Sequence, residues 1–281
     1  MENHQLKSNK VVALVQARMS ASRLPGKVLL DIGRKPMLAR VVDRSRRSDF
    51  VDQVVVATSQ EEADDPIETY CDQQGYDCYR GSLHDVLDRY YQAAKFHSAG
   101  VVVRITADCP IIDPLVIDQT LDAFFGSGPH LITERVSAPE RVTPIPDPAW
   151  DFAANRLPPP WKRTFPIGLD TEVCTFAVLE TAWQEADKPH QREHVMPFLY
   201  ENDQRYRILL VNHEPDLGSL RWTVDTPEDL ELLREIYSRF GGRDDFSWLE
   251  VLELFEREPE LAEINAEVLH KHYQDVEKID E

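Results

Sequence analysis

Val11-Val12-Ala13-Leu14-Val15, followed by Gln16-Ala17-Arg18-Met19-Ser20-Ala21-Ser22-Arg23-Leu24-Pro25-Gly26-Lys27, is the stretch on which the reading of this 281-residue chain turns. The apolar run has no polar alternation and is rich in β-branched residues, which predicts a strand buried on both faces. The loop after it holds three cations, Arg18, Arg23 and Lys27, and no acid. Guanidinium forks and a lysine point charge suit phosphate oxygens, and Gly26 lets the backbone approach a ligand closely. Neither GxxxxGK[ST] nor GxGxxG occurs here, so the loop is neither a Walker motif nor a dinucleotide fingerprint. Structural salt bridges are the competing use for the same charges.

Working outward, Pro36 opens a helical pattern with Met37, Leu38, Val41 and Val42 on one face. Gln53–Thr58 reads as a second buried strand, and a helix is predicted from Pro66 to Gln74, ended by Gly75. A further amphipathic helix spans Asp85 to Phe96, a third buried strand Val101 to Ile105, and Pro114 starts the next helix. Apolar strands alternating with helices imply an α/β sandwich around a parallel sheet whose ligands bind beyond the carboxyl ends of the strands. The Arg18–Lys27 loop and Thr106-Ala107-Asp108-Cys109-Pro110 both lie at that edge.

Between positions 135 and 165 the chain changes character, with Pro139, Pro144, Pro146, Pro148 and Pro158-Pro159-Pro160 beside Trp150 and Trp161. Proline at this density argues against long helices and central strands, so an ordered excursion is expected, as a lid or a subunit contact. Beyond it, Asp170–Phe176 and Arg205–Val211 read as strands, and Phe176–Ala186, Arg192–Glu201 and Pro227–Phe240 as helices. The expected organisation is a catalytic domain over residues 1–240 with an acidic helical extension over 241–281, packed by Trp248, Leu252 and Phe255.

Lysine and arginine number 31 against 50 acids, a formal net charge of −19. That balance argues against a dedicated nucleic-acid binder. No apolar stretch is long enough to span a bilayer, and the polar Met1–Lys10 does not read as a signal peptide. Cys71, Cys78, Cys109 and Cys174 show no metal spacing and are read as reduced thiols of a cytoplasmic protein. Positive charge is nevertheless concentrated from Lys7 to Arg47, where only Asp31 and Asp43 oppose it, which points to a small polyanion bound there. Arg40, Arg44, Arg46 and Arg47 are read instead as solvating one helix face.

Asp108 and Asp225 each follow an apolar segment expected to be a strand. A carboxylate at a strand end beside a phosphate loop suits magnesium, which takes one or two carboxylates plus substrate phosphate oxygens. Asp225 has a second use, since either it or Thr226 can cap the helix that Pro227 opens.

Taken together, Gln16–Leu29, Arg80-Gly81-Ser82 with Asp85-Val86-Leu87, Arg104–Pro114, Gly168-Leu169-Asp170, Arg192-Glu193-His194-Val195, Thr223–Leu230 and Glu263-Ile264-Asn265-Ala266 resemble the cytidylyltransferases. The likeness is to the SpsF type of spore-coat polysaccharide synthesis, related to 3-deoxy-manno-octulosonate and acylneuraminate cytidylyltransferases. It implies a nucleotidyltransferase fold, a Rossmann-like sandwich with a mixed sheet, and transfer of CMP from CTP to a small anionic acceptor in surface-glycan synthesis. It further implies Arg18, Arg23 and Lys27 on the triphosphate, Gln16, Ala17, Ser20, Ser22, Gly81 and Ser82 near the nucleotide, Mg2+ on Asp108 and Asp225, and a homodimer. Arg163, Asp170, Arg192, Glu193 and His194 are the acceptor candidates. Where the family usually carries Gly and Ser, this chain has Ser20 and Ala21, leaving Ser20 or Ser22 to supply a phosphate-contacting hydroxyl. A glycosyltransferase using a nucleotide sugar, or a non-catalytic nucleotide-binding protein, are the alternatives.

Overall fold

The computed structural model describes residues 10–126, 132–137 and 148–269. The opening apolar run forms β1 (Val11–Gln16) near the middle of an eight-stranded sheet. Around it lie β2 (Gln53–Ser59), β3 (Asp77–Gly81), β4 (Val101–Thr106), β5 (Ile132–Ser137), β6 (Phe152–Ala154), β7 (Glu172–Thr175) and β8 (Ile208–Asn212). The spatial order is β3-β2-β1-β4-β7-β6-β8-β5. β3, β2, β1 and β4 are mutually parallel, β7 runs antiparallel to β4, and β5 runs antiparallel to β8, so the sheet is mixed.

Burial on both faces follows from the sequence of β1. Val11, Ala13 and Val15 belong to one hydrophobic cluster and Val12 and Leu14 to the other. The first cluster is covered by α1 (Met37–Ser45), α2 (Asp65–Gln74), α4 (Pro114–Phe125), α8 (Pro227–Arg239) and α9 (Trp248–Arg257). The second is covered by α3 (Val86–Phe96), α5 (Phe176–Glu185) and the segment holding α6 (Pro189–His194) and α7 (Pro197–Glu201). Trp248, Val251, Leu254 and Leu261 of the acidic extension are buried in the first cluster, with Leu252 and Phe255 packed against it. The tail beyond 269 and residues 138–147, including Pro139, Pro144 and Pro146, lie outside the described residues.

Four expectations are corrected. The proline-rich stretch does contain an interior strand: β6 pairs with β7 on one side and β8 on the other, and only its flanks are proline-rich. The helix expected over Arg192–Glu201 is two helices, because Val195, fully buried, adopts φ 72° and ψ −57° between them and Met196 N–H donates to the His194 carbonyl. That is a classic γ-turn, a conformation rare and strained for a β-branched residue. The segment before Asp225 is buried and extended but bridges a neighbour at one point, Arg221 against Ile167, rather than forming a strand.

The fourth correction concerns the arginines of α1. Arg40 and Arg44 do not solvate a face: both are fully buried. Arg40 donates to the Ile32 and Gly242 carbonyls and pairs with Asp244 at 2.6 Å. Arg44 donates to the carbonyls of Ile112, Asp244 and Phe246, with Asp113 3.5 Å away, and its guanidinium lies over the Phe246 ring. Their alkyl stems pack like core residues while the charged ends bind the start of the extension. Arg46 and Arg47 are exposed, as expected. Removing a buried charged partner of this kind leaves polar groups stranded, so Arg44→Ala should lower unfolding stability by about 3–5 kcal/mol in urea denaturation. Arg46→Ala should change it by about 0.5 kcal/mol or less.

Candidate active site

The loop after β1 is built from its own backbone. Met19 N–H donates to Asp64 at 2.7 Å, and that fully buried carboxylate also takes the Ser59 hydroxyl at 2.5 Å. Gly26 N–H returns to the Met19 carbonyl at 2.8 Å, and Gly26 sits at φ 71°, where a side chain would be strained. A 3-10 turn over Lys27–Leu29 follows and drives Lys27 inward.

The Lys27 ammonium is the meeting point of three segments. Its Nζ donates to Asp108 Oδ2 at 2.9 Å, Asp225 Oδ1 at 2.9 Å and the Val224 carbonyl at 2.7 Å. Burial opposes the lysine's charge, but the two carboxylates outweigh it and hold its pKa above the ordinary lysine value. Asp225 Oδ2 takes Arg23 Nη2 at 2.7 Å and Arg221 Nη2 at 2.8 Å. Burial would raise the Asp225 pKa, yet Lys27, Arg221 and Arg23 keep it below the usual carboxylate range. The capping role falls to Thr226, whose hydroxyl accepts from Asp229 N–H, so Asp225 is left to the cation cluster. On the other carboxylate, Thr106 Oγ1 donates to Asp108 Oδ1 at 2.6 Å. The Asp108 carbonyl accepts from Val224 N–H at 2.8 Å, which fixes the two acidic segments side by side.

From this cluster a cavity of about 590 Å³ extends along the carboxyl ends of the strands. Gln16, Arg18, Arg23, Thr106, Asp108 and Asp225 line one end. A smaller recess of about 140 Å³, lined by Ser22, Ala21, Lys27 and again Arg18, Arg23 and Asp108, adjoins it. The larger cavity continues past Arg104, whose Nη2 donates to Gln16 Oε1 at 3.4 Å, to a far wall lined by Arg156, Arg163, Asp170, Glu172, Glu193, His194 and Tyr200, with Trp161, Pro158 and Pro159 from the proline-rich stretch. Gly168 is obligatory in that wall: at φ 111°, a Cβ there would lie 2.7 Å from the Trp222 carbonyl.

Most expected residues converge on this cavity, and a few are placed elsewhere. Ala17 lies in the core beneath the loop; Ser20 and Ser22 are both exposed, and of the two it is Ser22 that lines the recess. Gly81 packs its backbone on the Arg89 side chain, and Ser82 Oγ accepts from Asp85 N–H, ahead of α3. Arg192 spends its charge on Asp85 and donates to the Trp183 carbonyl at 2.6 Å, fastening α6 to α3 rather than lining the cavity. The next two residues, Glu193 and His194, do line it, directly before the Val195 γ-turn. Strain of this kind persists where surrounding structure over-determines it, commonly at functional sites.

Arg104, Arg156, Glu172 and Tyr200 were missed. Arg104 and Glu172 are register partners on β4 and β7, and their side chains meet at 2.5 Å. A charged residue within Val101-Val102-Val103-Arg104-Ile105 was the available signal. Arg163 binds Asp170 through both terminal nitrogens, and Arg156 Nε reaches the same carboxylate at 3.2 Å. Cys109, at the middle of the cavity, is no thiolate: burial, with Asp108 and Asp170 adding to it, pushes its pKa well up. Asp108 and Asp225 offer hard oxygen donors of the type a divalent cation such as magnesium accepts when phosphate oxygens complete its shell. Among the described residues no group of three or more His, Cys, Asp or Glu forms an all-protein cage.

The family model described as cytidylyltransferase matches residues 12–257. The spore coat polysaccharide biosynthesis protein SpsF of Bacillus subtilis is 30% identical over 261 residues, covering 90% of this chain and 97% of that protein. A 3-deoxy-manno-octulosonate cytidylyltransferase of Anaeromyxobacter is 31% identical over 80% of this chain and 97% of its own length. Among solved structures, a cytidylyltransferase from Leptospira borgpetersenii superposes with a TM-score of 0.78 at 32% identity, over 93% of this chain and 99% of that one.

Asp170 provides a test of the acceptor-end charges. Burial would raise its pKa, but Arg163 and Arg156 depress it below the ordinary value of 3.8. A depressed carboxylate stabilises the fold above its unfolded pKa, and that stabilisation is lost as pH falls through the folded value. The stability difference between the parent and Asp170→Asn, from urea curves, should therefore be constant above about pH 5 and shrink below about pH 4. A difference independent of pH down to about pH 2 would mean that Asp170 is not held ionised by the two arginines.

Proposed function

The chain belongs to the cytidylyltransferase family, and from that premise we propose that it transfers CMP from CTP to a small anionic sugar acid, releasing pyrophosphate, with Mg2+ held by Asp108 and Asp225. The observation that carries this reading is the bridging of Asp108 and Asp225 by Lys27 at the mouth of a cation-rich recess. The site's internal ion pairs are ready to be exchanged for a triphosphate and its metal. Arg18, Arg23 and Lys27 then neutralise the phosphates, and the two carboxylates released by Lys27 hold the cation. Bound there, magnesium supplies charge neutralisation at the reacting phosphate.

An acceptor hydroxyl attacks the α-phosphorus in line; the new P–O bond forms as the bond to pyrophosphate breaks, and the hydroxyl proton passes to solvent or to the departing pyrophosphate. The barrier lies in bringing two anions together and in the charge that develops on the leaving pyrophosphate. Cations already fixed around the recess lower both contributions without rearranging during the reaction. Arg104, with Arg156 and Arg163 at the far wall, are the groups suited to an acceptor carboxylate, and Glu172, Glu193, His194 and Tyr200 to its hydroxyls. Ser22, rather than Ser20, is the hydroxyl placed for a phosphate contact. We further assign the protein to the cytoplasm, which four free cysteines support, and, from the family resemblance alone, to a homodimer.

Two measurements test this reading. Pyrophosphate release with a panel of sugar acids should occur with CTP and be much weaker with UTP, ATP or GTP. Release of a nucleoside mono- or diphosphate from a nucleotide sugar would establish glycosyl transfer instead. Asp108→Asn should cost about 10²- to 10³-fold in turnover while the protein still folds, since Asp225 remains to pair Lys27. Near-normal turnover of that variant at saturating magnesium would overturn the metal assignment.

A further inference from the structure

The two guanidinium groups that reach Asp225 Oδ2 are both tied to the C-terminal extension. Arg23 donates through Nη1 to the Leu269 carbonyl at 3.3 Å. Arg221 is gripped by Asp229, which accepts from its Nε at 2.9 Å and its Nη2 at 3.0 Å. Asp229 also takes the backbone N–H groups of Asp225 and Thr226 at 2.9 and 3.1 Å. The remaining donor is the Asn265 amide, whose Nδ2 gives 2.8 Å to Asp229 Oδ1 and 3.1 Å to the Arg221 carbonyl. Asn265 is buried, and Leu261 anchors its turn in the core.

We propose that this turn is a strap whose Asn265 is a positioning residue for metal–nucleotide binding, setting Asp225 through Asp229 and Arg221. The chemistry of the position requires both amide hydrogens. Alanine would leave one Asp229 lone pair and one buried carbonyl without a donor, and aspartate would set a second carboxylate against Asp229. Either change loosens Asp229, and through it both Arg221 and the backbone of Asp225, which Asp229 holds. The effect belongs to the carboxylate that meets the cation, so it appears in metal dependence rather than only in folding. Groups that orient a metal-binding residue are typically worth about 10- to 100-fold in affinity or activity.

This inference rests on the metal role proposed for Asp108 and Asp225, and the experiment separates the two. CTP binding is measured by calorimetry without acceptor, as a function of Mg2+ and in EDTA, with thermal melting of each ligand-free protein. Asn265→Ala should raise the Mg2+ concentration for half-maximal CTP binding about 10-fold, with CTP binding in EDTA little changed. Asn265→Asp keeps the shape of the side chain, should shift the midpoint the same way, and carries the test if the alanine variant fails to fold. A midpoint within about twofold of the parent in a folded variant overturns the strap, as does an equal loss of binding in Mg2+ and EDTA. Asp108→Asn is the control. If it moves the midpoint while the Asn265 variants do not, only the strap fails; if it leaves the midpoint unchanged, the metal reading fails and the strap with it.

Discussion

A buried ammonium between two carboxylates is the constraint on which the rest of this structure depends. Unpaired, Lys27 would not remain charged in its surroundings, and Asp108 and Asp225 would repel one another. Together they make one compact unit from three distant parts of the chain: the loop after β1, the end of β4 and the approach to α8. The sheet supplies the geometry, since β1 and β4 are register neighbours whose last residues, Gln16 and Thr106, stand side by side. The interaction joins the three segments, and under the proposed function a triphosphate and a divalent cation would satisfy the same charges in the opposite pairing.

The far end of the cavity is organised on the same principle with different geometry. Arg104 with Glu172, and Arg156 and Arg163 with Asp170, place guanidinium planes around a space while neutralising most of their charge within the wall. Such pairs hold the guanidinium groups fixed in advance, so under the proposed function an acceptor carboxylate would meet donors that need not be ordered on binding. The proline-rich stretch contributes to this wall: Pro158, Pro159 and Trp161 form part of the lining with Arg156.

Much of the site was legible because its residues sit in local motifs. Arg18, Arg23 and Lys27 share one acid-free loop after a strand, and Asp108 follows another, so their placement at one sheet edge followed from the strand–helix alternation; Asp225 follows an extended segment that is not a strand and joins them through Lys27. The parts that were not legible depend on partners remote in sequence. Nothing local distinguishes Arg192, which Asp85 claims, from His194, which reaches the cavity two residues later. Arg156 looked like an ordinary residue of a proline-rich stretch because its partner, Asp170, lies across a strand pair. β6 was hidden for a similar reason: three small or aromatic residues between prolines carry no periodicity, and only β7 and β8 on either side make them a strand. Arg40 and Arg44 were misread because charge periodicity on a helix looks the same whether water or backbone carbonyls receive it.

Those two arginines also bear on how the protein is made. Their acceptors at Gly242 and Phe246 lie 202 residues downstream. At about 5–20 residues per second, a ribosome needs roughly 10–40 s to deliver them. Throughout that interval the nascent amino-terminal half carries two charged stems that belong in an interior not yet closed. The amino-terminal core is therefore completed only when the segment holding Gly242 and Phe246 docks on it.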